Sequence, residues 1–350
     1  MSPAVAFDIT PEKEASLRQY LYRQFFVTPP AISRHDVDLS GKTAIVTGSN
    51  AGLGLECARQ LLDLGISKLI LAVRDESKGE AAREVLLQGR KLNASAIEVW
   101  KLDLSSYDSI TRFAERANDL ENLDIALLNA GVYKVELTIN PKTGFEEDVQ
   151  VNCVSTALLT LLLLPIVNKK RSGTAPGRIT IVSSDTAGWA KFLERGSDPL
   201  LKAFKTNELK WNMQERYSTS KLLTQLFLSQ LATHVAPSIV TVDSANPGFC
   251  YGSGLQRDGN GTVLGFVVRV VTRIIGRPVT IGARPLVAAA VKFGDEVHGQ
   301  YVEDCKIRPM APILYTPEGE RVAKKLWDEL MNELAFADVR SIVSGLEKQA

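Results

Sequence analysis

The chain has 350 residues, enough for one large α/β domain with extensions or for two small domains. Lys and Arg total 41 against 40 Asp and Glu, so the formal net charge is +1 and nothing draws nucleic acid to this surface in general. Cys57, Cys153, Cys250 and Cys305 form no CxxC pair, and His35, His234 and His298 are the only histidines. A disulfide framework, a zinc site and a histidine-dependent triad are therefore not expected, and no metal is assigned.

In chain order, the first residues lack a basic stretch leading into an apolar one and do not read as a secretory signal. Residues 1–40 read as an N-terminal extension with a short amphipathic helix near Glu12 to Phe26, followed by the breaker VTPPAIS. From Lys42 onward the pattern alternates. TAIVTG, KLILAV, AIEVWKLDL, LDIALLNAG, GRITIVSS and SIVTVDSANPG read as strands, with helix-spaced segments between them. The apolar run TALLTLLLLPIV, from Thr156 to Val167, is shorter than the roughly 20 residues that cross a bilayer. It contains a proline and reads as a buried helix. A cytoplasmic protein is the expectation. Short, wholly apolar strands alternating with helices argue for a doubly wound parallel sheet covered on both faces. In such a fold the ligand belongs at the carboxyl ends of the strands. Residues 41–335 are assigned to this single α/β domain and 336–350 to a C-terminal tail.

TGSNAGLG, from Thr47 to Gly54, joins the first strand to the first helix of the alternation. Gly48 permits a tight turn, Gly52 lets backbone approach a pyrophosphate, and Gly54 lets helix and strand pack closely. The helix N-terminus then offers N–H groups to phosphates. The spacing T-G-x-x-x-G-x-G resembles the cofactor loop of the short-chain dehydrogenase/reductase family. The resemblance covers about Leu39 to Gly248, and more loosely to about residue 335. The N-terminal lead and a long insert before Tyr217 make the chain similar to the retinol-dehydrogenase-like branch and to fungal reductases of secondary metabolism. The resemblance implies a Rossmann fold, a nicotinamide dinucleotide and carbonyl–alcohol chemistry. It also places Ser49, Asn50 and Leu53 among the loop's cofactor contacts.

The second strand ends LAVRD, with Val73 where an NAD-binding chain usually places an acid. Arg74 follows, and its guanidinium suits a 2′-phosphate, with Lys78 as a second cation. The alternative is that Arg74 ends the strand and Asp75 takes the ribose. The reading adopted is NADP(H). By resemblance, Asp103 and Leu104 contact the adenine, and Asn129, Ala130 and Gly131 support the sheet and the adenine ribose. Asp103 reads equally as a helix cap.

RYSTSKLL places Tyr217 and Lys221 four apart, on one face of a helix. The resemblance makes Tyr217 the proton donor or acceptor and Lys221 the cation that lowers its pKa and holds the ribose. Ser184, or less readily Ser183, would bind the substrate carbonyl. Asn152 would complete a water-linked proton relay to Lys221. Pro247 and Gly248, in NPGF, match the turn whose backbone lies over the nicotinamide. Trp189, Phe192, Phe204 and Trp211 in the insert either wall the substrate pocket or form a satellite cluster under a loop.

Residues 249–280 are expected to hold a substrate lid. Arg269, Arg273 and Arg277 stand at i+4 steps on an apolar stretch over 262–278, either a lid or dimer-edge helix with a solvated arginine face or, less favoured, a membrane-surface contact. The expected activity is reduction of a ketone or aldehyde on a lipophilic small molecule, such as a polyketide or terpenoid intermediate. An NAD-dependent alcohol dehydrogenase, a non-redox enzyme of the same fold and a dinucleotide sensor without turnover are the alternatives. Homo-oligomerisation is left open.

Overall fold

A computed structural model describes residues 7–206, 210–254 and 272–349. Its centre is a parallel sheet built from β1 (Thr43–Thr47), β2 (Lys68–Val73), β3 (Ile97–Lys101), β4 (Ile125–Leu128), β5 (Gly177–Val182), β6 (Val240–Asn246) and β9 (Tyr301–Glu303). β10 (Lys306–Arg308) closes the edge antiparallel to β9. The order across the sheet is β3-β2-β1-β4-β5-β6-β9-β10. From β1 the chain builds outward to β3, then returns to β4 on the other side. The switch point between β1 and β4 opens a crevice at their carboxyl ends, where ligands bind in such sheets.

The apolar strands are covered on both sides, and strand alternation divides them cleanly. Ile45, Ile70, Ala72, Ala126 and Leu128 enter one core with α5 (Tyr107–Ala117), α6 (Glu147–Lys170) and α7 (Met213–His234). Ala44, Val46, Leu69, Leu71, Ile125 and Leu127 enter the other, with α3 (Gly52–Asp63), α4 (Glu76–Leu87) and α8 (Val279–Val291). The buried helix expected over Thr156 to Val167 runs from Glu147 to Lys170, long and apolar enough to span a bilayer, but 89% of its apolar window is buried inside the protein. Between Gln150 and Ser155 its turns widen to π-helical.

Three sequence expectations are adjusted. The N-terminal helix is two helices, α1 (Pro11–Glu14) and α2 (Leu17–Phe26), because Ser16 takes extended backbone and caps α2 by accepting from the Gln19 amide at 3.2 Å. Residues 336–350, read as a tail, contain α10 (Val339–Glu347), which follows α9 (Pro317–Glu333) and sends Val339, Val343 and Leu346 into the first core. The arginine stripe does not continue to Arg277. The helical turn stops at Gly276, and Arg277 lies in β8 (Arg277–Pro278), paired with β7 (Cys250–Tyr251). Arg277 is buried and ion-paired with Asp304 at 2.6 Å rather than solvated. A glycine followed closely by proline ends a helix here, because Pro278 cannot continue the ladder. Arg273 is exposed, with its guanidinium 5.7 Å from the Tyr251 ring centroid. Arg269 and most of the expected lid lie outside the described residues.

Candidate active site

A cleft of about 470 Å³ opens at the carboxyl ends of the parallel strands. Its walls include Gly48, Asn50, Leu53, Arg74, Lys78, Asp103, Leu104, Asn129, Ala130, Gly131, Ser184, Tyr217, Lys221, Pro247 and Gly248. The remaining predicted residues stand behind this wall. Ser49 is fully buried and donates to the Val46 carbonyl at 2.9 Å. Gly52 and Gly54 form the first turn of α3.

The loop after β1 is held from the far side of the switch point. Gly48 turns with φ +65° while its amide donates to Ala72 O at 2.8 Å. Asn129 Nδ2 donates to Thr47 O at 2.9 Å, and the Ala130 amide donates to Thr47 Oγ1 at 2.9 Å. The NAG segment thus locks the glycine loop to the end of β4. The N-terminus of α3 begins after Ala51 with no side-chain cap, leaving its first amides for an anionic ligand. These features fit the diphosphate of a dinucleotide.

At the end of β2 the two candidates for the ribose separate. Asp75 caps α4, accepting from the Lys78 amide at 3.2 Å and from Ser77 Oγ at 2.6 Å, and these bonds hold its carboxyl below the usual range. Lys78 Nζ lies 3.6 Å from the same carboxylate. Arg74 is exposed on the cleft and makes no ion pair among the described residues. At the end of β3, Asp103 does not cap α5, whose cap is Ser106. Asp103 instead turns the chain, accepting from the Ser105 amide at 3.0 Å and Ser105 Oγ at 2.7 Å.

The proton-handling residues converge from three elements. Ser184 follows β5, and its Oγ accepts from Thr186 Oγ1 at 2.9 Å and donates to Asp185 Oδ1 at 3.3 Å. Ser183 is buried, with its hydroxyl accepting from Gln225 Nε2 at 3.1 Å. Both serines line the cleft, Ser184 being the less buried of the two. Tyr217 and Lys221 share one face of α7, which Asn212 caps through the Glu215 amide at 3.0 Å. Lys221 Nζ donates to Val182 O at 2.8 Å and stands 5.8 Å from the Tyr217 ring centroid.

The electrostatics run opposite to the sequence expectation. Burial raises the Tyr217 phenol well above its ordinary value, and the negative charge of Asp185 raises it further. A hydrogen bond with Ser184 acts in the other direction. Burial pushes Lys221 down to about 8. In this arrangement desolvation outweighs any pull of the ammonium on the phenol.

Asn152 sits in the π-helical turn, and its side chain is fully engaged. Its Oδ1 accepts from the Val132 amide at 2.9 Å, while Nδ2 donates to Val132 O at 2.9 Å and to Ser220 Oγ at 3.0 Å. Its carbonyl accepts from Thr224 Oγ1 at 2.9 Å. Asn152 thereby clamps the segment after NAG onto α7, positioning Tyr217 and Lys221.

The insert aromatics divide between the two readings. Trp189 lines the cleft. Phe192 and Phe204 are buried in the first core, and Trp211 donates its indole N–H to Val135 O at 2.9 Å. Among the cleft residues that sequence reasoning missed are Asp185, Tyr133 and Tyr20. Tyr133 packs edge-on against Tyr217 with ring centroids 4.9 Å apart. Adjacency to Ser184 and to NAG could have flagged the first two; Tyr20 carries no local signal.

The family model for short chain dehydrogenases matches residues 42–193. The short-chain dehydrogenase fogG of Aspergillus ruber is 55% identical over 348 residues, covering 99% of this chain and 100% of that protein. The short chain dehydrogenase/reductase mfmJ of Annulohypoxylon moriforme is 42% identical over 328 residues, covering 93% and 94%. Among solved structures, an uncharacterised protein of Mycobacterium paratuberculosis aligns with a TM-score of 0.62 at 25% identity, over 87% of this chain and 98% of that one. The RhlG/NADP active-site complex of Pseudomonas aeruginosa aligns with a TM-score of 0.55 at 22% identity, over 76% and 95%. The similarity to both fungal relatives runs nearly the full length of each chain. The chain belongs to the short-chain dehydrogenase/reductase family of oxidoreductases, alongside fungal members.

Proposed function

We propose that this protein is an NADP(H)-dependent reductase that converts a ketone or aldehyde on a lipophilic small molecule to the alcohol. The setting proposed is fungal secondary metabolism, with a polyketide or terpenoid intermediate as substrate. The observation that carries the reaction class is the convergence of Ser184, Tyr217 and Lys221 on one cleft beside the glycine loop. When bound, a nicotinamide dinucleotide supplies the hydride for this chemistry.

The protein's own groups handle the oxygen. Ser184 Oγ turns its hydrogen from Asp185 Oδ1, a long 3.3 Å contact, to the substrate carbonyl and to the negative charge that grows on it. Tyr217, a protonated phenol at neutral pH, delivers its proton to that oxygen. Lys221, anchored on Val182 O, brings a positive charge to the same wall and stabilises the phenolate left behind. The preference for NADP(H) rests on Arg74, which faces the cleft without an ionic partner among the described residues while Asp75 is engaged as a cap. The lipophilic substrate is inferred from Val132, Tyr133, Trp189, Phe249 and Ile275 in the cleft wall.

Absorbance at 340 nm with a panel of carbonyl compounds tests the reading. Tyr217→Phe should lower kcat about 10²- to 10⁴-fold. Equal NADPH consumption by wild type and variant would overturn the assignment. Arg74→Ala removes a charge-assisted contact and should weaken NADPH about 10- to 100-fold while leaving NADH within about twofold. Parallel changes for the two cofactors would refute the NADP(H) preference. Tight NADPH binding without turnover of any carbonyl would favour a dinucleotide sensor.

A further inference from the structure

We propose that the N-terminal segment forms the substrate-side wall of the active site, and that Tyr20, with Trp189, selects carbonyl substrates bearing a planar aromatic ring. This rests on the reductase reading above. The motifs that define the site begin at Thr47, yet Tyr20 lines the same cleft as Ser184 and Tyr217. Its ring meets Trp189 edge-on, with centroids 5.0 Å apart and planes at 79°. Trp189 in turn donates its indole N–H to Ala15 O at 2.8 Å, so the pair ties the N-terminal segment to the chain just after Ser184. Tyr133 adds a third ring, already packed edge-on against Tyr217.

The segment is built into the site rather than draped over it. Gln24, one turn beyond Tyr20 on α2, donates Nε2 to Phe249 O and to Ile275 O, each at 2.9 Å. Its Oε1 accepts from the Phe249 amide at 3.2 Å. One side chain therefore fastens α2 to both strands of the β7–β8 ribbon's approach. Arg23 is buried, pairing with Glu14 at 2.6 Å and with Glu303 at the end of β9 at 3.1 Å. Arg277 Nη2 closes the set by donating to Arg23 O at 2.9 Å. Burying two guanidinium groups at one seam is costly unless each is paired, and here each is. The result is a preorganised wall that loses little freedom when a substrate arrives.

Three rings in the cleft that holds Ser184 and Tyr217 favour an aromatic guest. Ring pairs in edge-on or offset contact gain attraction beyond the area they bury, and an alkyl chain of similar size does not share this gain. Burial keeps the Tyr20 phenol protonated, so it presents a ring and a neutral donor.

The test uses the full chain with NADPH and two probes of comparable size, 2-naphthaldehyde and decanal. Wild type should prefer 2-naphthaldehyde. Tyr20→Ala should lower kcat/KM for it about 10-fold, mainly through KM, while changing decanal by less than about threefold. Tyr20→Phe should retain the preference, and NADPH affinity should be unchanged in both variants. Trp189→Leu, at a half-exposed position, should reproduce the selective loss if Tyr20→Ala folds poorly. Equal loss on both probes, no loss on either, or a wild-type preference for decanal would overturn the proposal. If wild type consumes NADPH with neither probe and with no member of the carbonyl panel, the reductase reading fails separately. The wall is then judged by 2-naphthaldehyde affinity from tryptophan quenching: about tenfold weakening in Tyr20→Ala supports it, and unchanged affinity rejects it.

Discussion

Gly54→Ala puts the closeness of α3 to the glycine loop to a quantitative test. A Cβ at this position would lie 2.4 Å from Gly48 O, 2.9 Å from Gly48 C and 2.6 Å from Asn129 Nδ2. Non-bonded carbon atoms rest about 3.5–4.0 Å apart, so helix and loop must separate by roughly 1 Å. Two of the three obstacles are backbone, and the third is held on Thr47 O at 2.9 Å, so no flexible side chain can swing away. Overpacking of this kind costs about 1–3 kcal/mol. If, as proposed, the displaced atoms seat the diphosphate, most of that cost should appear as lost cofactor affinity. At about 1.4 kcal/mol per tenfold, NADPH should bind about 5- to 140-fold more weakly. Fluorescence titration measures this directly, and thermal unfolding should show a drop of a few degrees in Tm. Gly173→Ala is the control, since a Cβ there meets nothing within 4 Å. An affinity within twofold of wild type together with an unchanged Tm would show that the loop is not seated this way.

Asp185→Asn tests the charge beside Tyr217. The carboxylate raises the phenol's pKa, so its removal should lower it and move the basic arm of the alcohol-oxidation pH profile to lower pH. The effect should be confined to the range where Asp185 is ionised, which burial has displaced upward. An unmoved or upward-moved profile would sink the idea. Phe204→Ala tests the core under the insert. Phe204 is fully buried, with the Arg216 guanidinium 5.0 Å from its ring centroid. The variant should lose about 3–5 kcal/mol in denaturant unfolding, with NADPH affinity retained in the folded protein. A loss below about 1 kcal/mol would mean that the insert is not part of the core.

Much of the site was legible because its chemistry is local. The glycine spacing, the strand that ends at Ser184 and the four-residue step from Tyr217 to Lys221 are each set by one turn, strand or helix. Their roles were less legible. The expectation that Lys221 lowers the Tyr217 pKa rests on an ammonium and a ribose beside the phenol. It left out desolvation by everything packed around them, including an aspartate beside the active serine. Asn152 likewise belongs to the site, but its side chain holds two elements together.

The sequence by itself determined the layered parallel sheet, since strands apolar on both faces must be covered on both faces, and it marked the motif residues that line the strand ends. Only the tertiary structure decided what closes the site. Trp189 turns to the cleft while Phe192 and Phe204 turn to the core, although all three share one insert and one chemical character. Tyr20 reaches the cleft because Arg23 and Gln24 dock on residues far along the chain. Such placements depend on which distant surfaces meet, and hydrophobic periodicity reports which residues are buried without naming what they are buried against.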